Sequence, residues 1–176
     1  SRRREAVAAG ATDWIDELGS VWRREYRHLD TGALPRLVRL ARLSLLIDSL
    51  QSEVLRPFDL ARGDYGVLAM LRRAGSPYEL SPSQLTNRLA RSSGGMTKIL
   101  KRLEESGLVQ RLPDPDDGRG SRVSLTPAGL ELQDRVFNAF LVASQGLVKP
   151  LSETRLREVD RALRTLLDTF ERYLAE

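Results

Sequence analysis

Two short helix signatures, almost touching in the chain and followed at once by two alternating runs around a turn-rich tip, constrain this sequence more than any other stretch. Ser81-Pro82-Ser83-Gln84 spells a capping box: the Ser81 hydroxyl accepts the Gln84 amide, the Gln84 side chain reaches back, and Pro82 occupies the first helical position, where its missing N–H costs nothing. The helix it opens runs through Leu85, Leu89 and Ala90, and only Arg91 separates it from the next polar start, Ser92-Ser93. The second helix places Met96, Ile99, Leu100 and Leu103 at i, i+3, i+4 and i+7 on one face and closes at Ser106-Gly107. Two short helices joined this tightly make a helix-turn-helix pattern. Leu108-Val109-Gln110-Arg111-Leu112 and Arg122-Val123-Ser124-Leu125 then flank a tip rich in Pro, Asp and Gly, which predicts a β-hairpin. A helix-turn-helix that runs directly into a hairpin has the order of a winged helix.

Around this unit the apolar positions keep a helical period. Trp14, Leu18, Val21, Trp22 and Tyr26 predict an amphipathic helix to about His28, after an Ala-rich start expected to be disordered. Residues 30–35 read as a turn-rich linker, and a long helix follows from Pro35 until Pro57 stops it. A third helix spans 62–74, with Tyr65, Leu68, Ala69 and Leu71 inward and Gly75 placed to end it in the left-handed conformation. Thr126 and Pro127 open a long helix through Leu132, Val136, Phe140 and Leu147 to Lys149; Pro150 breaks it, and Ser152 caps another. In that last helix Leu156, Val159, Leu163, Leu166, Phe170 and Tyr173 repeat at 3, 4, 3, 4, 3, close to a coiled-coil seam. Such a stripe needs a partner helix, so these six residues are the expected dimer interface.

The fold class expected is mainly α with a small β-wing: a winged helix-turn-helix flanked by long dimerisation helices, with an extra N-terminal helix. The corresponding segments are an N-terminal extension over 1–35, a helical dimerisation region over 36–60 and 126–176, and a winged helix-turn-helix over 61–125. Composition narrows the chemistry. There is no Cys and a single His, His28, which removes disulfides, thiol nucleophiles and zinc sites built from Cys and His. Asp114, Asp116 and Asp117 lack the spacing and terminal Glu of a calcium loop. No grouping supplies acid, base and nucleophile together, so no catalytic residue, metal or cofactor is expected. The apolar stretches are far shorter than the roughly 20 residues of a membrane span. A cytoplasmic, nucleoid-associated protein is the expectation.

The net charge is +4, from 28 Lys and Arg against 24 Asp and Glu, and it is unevenly placed. Residues 81–122 hold eight basic and five acidic side chains, while 123–176 hold seven and eight. A basic surplus confined to the helix-turn-helix and hairpin attracts polyanions. With the apolar face of the second helix turned inward, Ser93, Gly94, Thr97, Lys98 and Lys101 face outward as the candidate reading face for DNA. Small hydroxyls near a helix N-terminus suit phosphates or base edges, and Lys98 suits guanine acceptors. Ser81 and Ser83 are candidate phosphate contacts from the first helix, and Arg122 from the second strand.

Gly107-Leu108-Val109, then Asp117-x-Arg119, then Val123-x-Leu125-Thr126-x-x-Gly129, preceded by Arg102-Leu103-Glu104, resembles the wing signature of the MarR family, the multiple-antibiotic-resistance-type regulators. Helix order agrees over residues 36–174. The resemblance implies a homodimer whose terminal helices pair and whose two winged helices grip adjacent major grooves of double-stranded DNA at a pseudo-palindromic operator. It also implies that Arg119 enters the minor groove while Asp117 shapes the wing tip. Family members commonly bind a small molecule, often an anionic aromatic, in a cleft between winged helix and dimer helices, and release DNA. Trp22, Tyr26, Arg39, Leu43 and Tyr65 are the candidate effector residues. The added helix with Trp14 and Trp22 resembles a urate-responsive branch, but Gly66 stands where that branch has an acid and Ile99 where it has an arginine. The function expected is therefore a sequence-specific bacterial transcription regulator, a repressor released by an effector. A helical protein-interaction module and a ligand-independent DNA-binding regulator are the other readings.

Overall fold

Asp13, Ser81, Ser92, Thr126 and Ser152 each cap a helix start with a side-chain oxygen. In the computed structural model, which describes residues 13–114 and 120–175, the order is α1 (Trp14–Glu25), α2 (Leu34–Leu55), a 3-10 turn (Arg56–Phe58), α3 (Arg62–Arg73), β1 (Glu79–Leu80), α4 (Pro82–Arg88), α5 (Ser93–Glu105), β2 (Val109–Pro113), β3 (Ser121–Leu125), α6 (Pro127–Val148) and α7 (Glu153–Ala175). The backbone divides into two compact units, Ser1–Leu50 and Gln51–Glu176. Among the described residues no helix is long and apolar enough to cross a membrane.

In the first unit Asp13 caps α1, its Oδ1 accepting from the Ile15 and Asp16 amides at 2.9 and 3.1 Å, while Asp16 accepts from the Asp13 amide at 3.0 Å. Arg39 of α2 then bridges both carboxylates, at 2.8 Å to Asp13 and 2.6 Å to Asp16. Hydrogen bonds to Arg39 hold both acids below the usual carboxylate range, and the same bonds push the guanidinium further up. The two helices approach closely at Gly19, where an added Cβ would stand 3.0 Å from the Pro35 ring. Helix α1 ends at Glu25, three residues before the expected His28, because Tyr26 leaves helical dihedrals (φ −113°, ψ 52°) and the chain turns.

The core of the second unit is built by α3, α4, α5 and the sheet. Val67, Leu68 and Leu71 of α3, Leu85 of α4, the inward face of α5 and Val123 of β3 form one buried apolar cluster. The sheet is antiparallel in the order β1-β3-β2, with Val109 opposite Leu125, Pro113 opposite Ser121 and Leu80 opposite Val123. Strand β1 was not expected from the sequence: two residues carry no period, and the strand exists only because β3 offers an edge to pair with.

Helix α6 is tied to the end of α5. The Thr126 Oγ1 accepts from the Gly129 amide at 3.0 Å and donates to the Gly107 carbonyl at 2.7 Å, Gly107 itself lying at φ +68°. Gly129 must be glycine, since a Cβ there would sit 2.0 Å from the Leu108 carbonyl oxygen. Helix α7 buries no residue.

Candidate nucleic-acid interface

Helix α5 starts at the Ser92 cap, whose Oγ accepts from the Gly95 amide at 3.2 Å. Gly95 is small because its neighbour is that cap: a Cβ would stand 3.1 Å from the Ser92 Oγ. Nothing crowds Gly94, which faces solvent. Met96, Ile99, Leu100 and Leu103 are all buried, and this fixes the phase of the helix. Ser93, Gly94, Thr97, Lys98 and Lys101 are consequently all exposed along one face. The Thr97 hydroxyl donates to the Ser93 carbonyl at 3.0 Å, so toward a ligand it is left with lone pairs and a methyl group. Lys101 approaches Glu105 at 3.7 Å, whereas Lys98 makes no ion pair among the described residues.

Helix α4 presents the second set. Ser81 is half-buried and engaged in its capping box, accepting from the Gln84 amide at 3.2 Å while its own amide donates to the Gln84 Oε1 at 2.9 Å. Ser83 is exposed, its hydroxyl 2.8 Å from that of Ser81. Ser83, Asn87, Ser93, Thr97 and Arg111 share a groove of about 350 Å³ between α4 and α5. Asn87 and Arg111 were not singled out in the sequence, since neither belongs to the outward face of α5.

On the wing, Arg122 of β3 donates from Nε to Asp114 at 3.1 Å, with both side chains mostly covered. Its charge is thus already engaged with a carboxylate at the end of β2. Asp117 and Arg119 lie outside the described residues.

Two ion pairs that sequence reasoning missed hold α5 in place. Arg102 pairs with Asp64 of α3, and Glu104 pairs with Arg111 of β2 at 3.4 Å. The first left a trace in the sequence. Asp64 falls in phase with Val67, Leu68 and Leu71, so the helical period that buries those residues buries an acid with them, and a buried acid needs a cation.

The candidate effector residues fall in both units. In the first, Arg39 and Leu43 line a cavity of about 380 Å³ with Trp14 and Arg42; Trp22 is half-buried and Tyr26 exposed, and neither lines that cavity. In the second, Tyr65 stacks on Phe140 with ring centroids 4.8 Å apart, beside a cavity of about 290 Å³ that also touches Arg72, Arg73, Gln133 and Phe137.

Comparison with known proteins places this geometry. Residues 58–120 match the MarR family. Over 160 residues the chain is 34% identical to the HTH-type transcriptional regulator PecS of Dickeya dadantii, an alignment covering 91% of this chain and 94% of that protein. The chain belongs to the MarR family. Among solved MarR-family structures, a mutant MarR from E. coli complexed with operator DNA superposes with a TM-score of 0.62 at 28% identity, covering 79% of this chain and 99% of that one. AbsC, a MarR family transcriptional regulator from Streptomyces coelicolor, superposes with a TM-score of 0.66 at 25% identity, covering 81% and 96%. The MarR-family match takes in α3, α4, α5 and β2, the elements that carry the exposed face of α5 and its two ion pairs.

Proposed function

We propose that this chain is a homodimeric, sequence-specific regulator of transcription that binds double-stranded DNA and acts as a repressor released by a small molecule. The observation that carries the reading is the division of α5 into a wholly buried apolar face and an exposed face of Ser93, Gly94, Thr97, Lys98 and Lys101. An α-helix of this width fits the major groove, where Lys98 reaches guanine O6 and N7 and the small residues let the backbone approach. Ser81, Ser83 and Arg122 are the candidate phosphate contacts, Ser81 acting while it caps α4 and Arg122 while it is paired with Asp114. Arg119 enters the minor groove from the wing, and Asp117 shapes the tip. The operator DNA held by the E. coli relative supports this reading.

The partner is a second copy. In α7, Val159, Leu163, Phe170 and Tyr173 are exposed and Leu156 and Leu166 only half-covered, an apolar stripe that a second copy of the helix would bury. Two-fold pairing makes the operator a pseudo-palindrome with half-sites about one helical turn apart. The candidate contacts for the effector are Trp22, Tyr26, Arg39 and Leu43 in the first unit and Tyr65 in the second. It must bind the DNA-incompetent spacing of the two heads more tightly than the competent one. The protein acts at the nucleoid, in the cytoplasm, by binding rather than catalysis.

Fluorescence anisotropy with duplexes from upstream of the protein's own gene, at two salt concentrations, tests the reading. The expected result is preferential binding to one duplex that weakens steeply with salt, because each phosphate neutralised releases counterions. Equal, weak affinity for every duplex would leave only a helical interaction module.

A further inference from the structure

The Asp64 side chain is 4% exposed and sits in the first turn of α3, where its Oδ2 accepts from the Ala61 amide at 3.0 Å. Its remaining acceptors go to Arg102 of α5: Nε lies 3.1 Å from Oδ1 and 3.2 Å from Oδ2, and Nη2 also donates to Oδ1. The carboxylate raises the pKa of the guanidinium by hydrogen bonding, and Arg102 keeps half of its surface in solvent, with 51% of the side chain exposed. One end of this pair is therefore anchored in the core, and the other stands at the rim of the reading helix.

The rest of α5 is held less directionally. Met96, Ile99, Leu100 and Leu103 anchor it by apolar contact, which fixes the buried face but, being non-directional, leaves a rotation of a few degrees about the helix axis to be set. The N-terminal turn offers Ser93, Gly94 and Gly95, with almost nothing to pack. The Glu104–Arg111 pair is longer, at 3.4 Å, and both of its side chains are about two-fifths exposed, so water screens it. A planar guanidinium forked onto a buried carboxylate is directional in a way these contacts are not. Arg102 lies four residues beyond Lys98, about 40° round the helix by the 3.6-residue period, so fixing one sets where the other points.

We propose that Asp64 is a positioning residue for DNA reading: acting through Arg102, it sets the rotation of α5 so that Lys98 and Thr97 meet base edges, and it contributes to specificity without touching DNA. The inference rests on the DNA-reading function proposed above. It predicts a loss of discrimination rather than a loss of binding, because phosphate contacts survive a rotation of a few degrees that base-edge hydrogen bonds do not.

The experiment compares the full chain with its Asp64→Asn, Asp64→Glu, Arg102→Lys and Asp64→Asn/Arg102→Lys variants on two probes: a duplex that the wild-type protein selects from a randomised pool, and a shuffled duplex of the same length. Asp64→Asn and Arg102→Lys are each expected to lose roughly tenfold in affinity for the selected duplex, the scale of one base contact. Affinity for the shuffled duplex and the salt dependence are expected to stay unchanged. The double variant is expected to be no worse than either single one, and Asp64→Glu to recover part of the loss. Arg102→Lys keeps the charge and carries the test if Asp64→Asn does not fold. Full discrimination by a folded variant, additive losses in the double variant, or equal losses on both duplexes would overturn the proposal alone. A wild-type protein that selects no duplex would overturn the DNA-reading function and this proposal with it.

Discussion

Arg122 and Asp114 face one another across the base of the wing, Nε to Oδ1 at 3.1 Å, joining a residue of β3 to the carboxylate just beyond β2. The Leu112–Arg122 and Pro113–Ser121 pairings run alongside, so the ion pair fastens the last rungs of the ladder before the tip. Asp114→Ala leaves a partly covered guanidinium short of a partner. It is expected to destabilise the protein by about 1 kcal/mol, the value of a charge-assisted bond discounted for exposure, seen as a lower melting temperature in circular dichroism. Unchanged melting would show that the pair does not fasten the wing.

Gly129→Ala and Gly94→Ala should behave oppositely. At Gly129 the added Cβ would overlap the Leu108 carbonyl oxygen at 2.0 Å, and overpacking of this kind costs about 1–3 kcal/mol. At Gly94 nothing lies within 4 Å, and the residue is inside an exposed helical turn, where alanine is better by up to about 1 kcal/mol. Urea titrations should order the proteins Gly94→Ala, wild type, Gly129→Ala from most to least stable. The same Gly94→Ala protein should bind operator DNA more weakly, because its methyl group holds the helix backbone off the groove; undiminished binding would remove Gly94 from the interface.

Lys98 and Arg119 should separate base reading from groove occupancy. Lys98→Ala is expected to relax preference at one base position by about 1–3 kcal/mol, measured against single-base operator variants. Arg119→Ala should weaken binding strongly on A·T-rich flanks, where the narrow minor groove concentrates negative potential. Full affinity after Arg119→Ala would count against the wing assignment.

Leu163 stands mid-way along α7, 48% exposed, in a helix that buries none of its residues. Leu163→Asp introduces a charge into the stripe proposed to pair with a second copy, and burying it unpaired costs several kcal/mol. Sedimentation equilibrium should report dimers for the wild type and monomers for the variant, with affinity for a two-half-site duplex falling in parallel. A variant that stays dimeric would move the interface off α7.

The acid pair at the start of α1, Asp13 and Asp16, is expected to make the first unit sensitive to low pH. Arg39 holds Asp13 and Asp16 below the ordinary aspartate value of 3.8, so the interaction stabilises the folded form at any pH above that value. It is lost as pH falls through the lowered folded values, where both acids take up protons. The chain has two tryptophans, Trp14 and Trp22, and both lie in α1. Their emission should stay constant from neutral pH to about pH 4 and shift to the red below it, and Arg39→Gln should remove the acid step.

The legible part of the fold was the part governed by local rules. Ser81, Ser92, Thr126 and the α5 stripe from Met96 to Leu103 appear where their letters place them, because caps and helical periods act over three to seven residues. The exposure of Ser93, Gly94, Thr97, Lys98 and Lys101 followed from that stripe by elimination. The end of α1 at Glu25 was less legible, since Tyr26 and Arg27 fit a helix as well as a turn. Strand β1 was not legible at all, because Glu79 and Leu80 are a strand only beside Ser124 and Val123 of β3.

The sequence by itself determined the order of the helices and of the β2–β3 hairpin, the phase of α5 and the uncovered stripe of α7, all set by spacing along one chain. Tertiary structure alone decided the partners of its charges. Asp64 meets Arg102 across 38 positions, and Arg72 meets Asp134 across 62. In a chain with 28 basic and 24 acidic side chains, many pairings at such separations satisfy the same spacing rules. Only packing selects among them, because an ion pair needs its two ends within about 4 Å, and that distance is fixed by the cores beneath the helices.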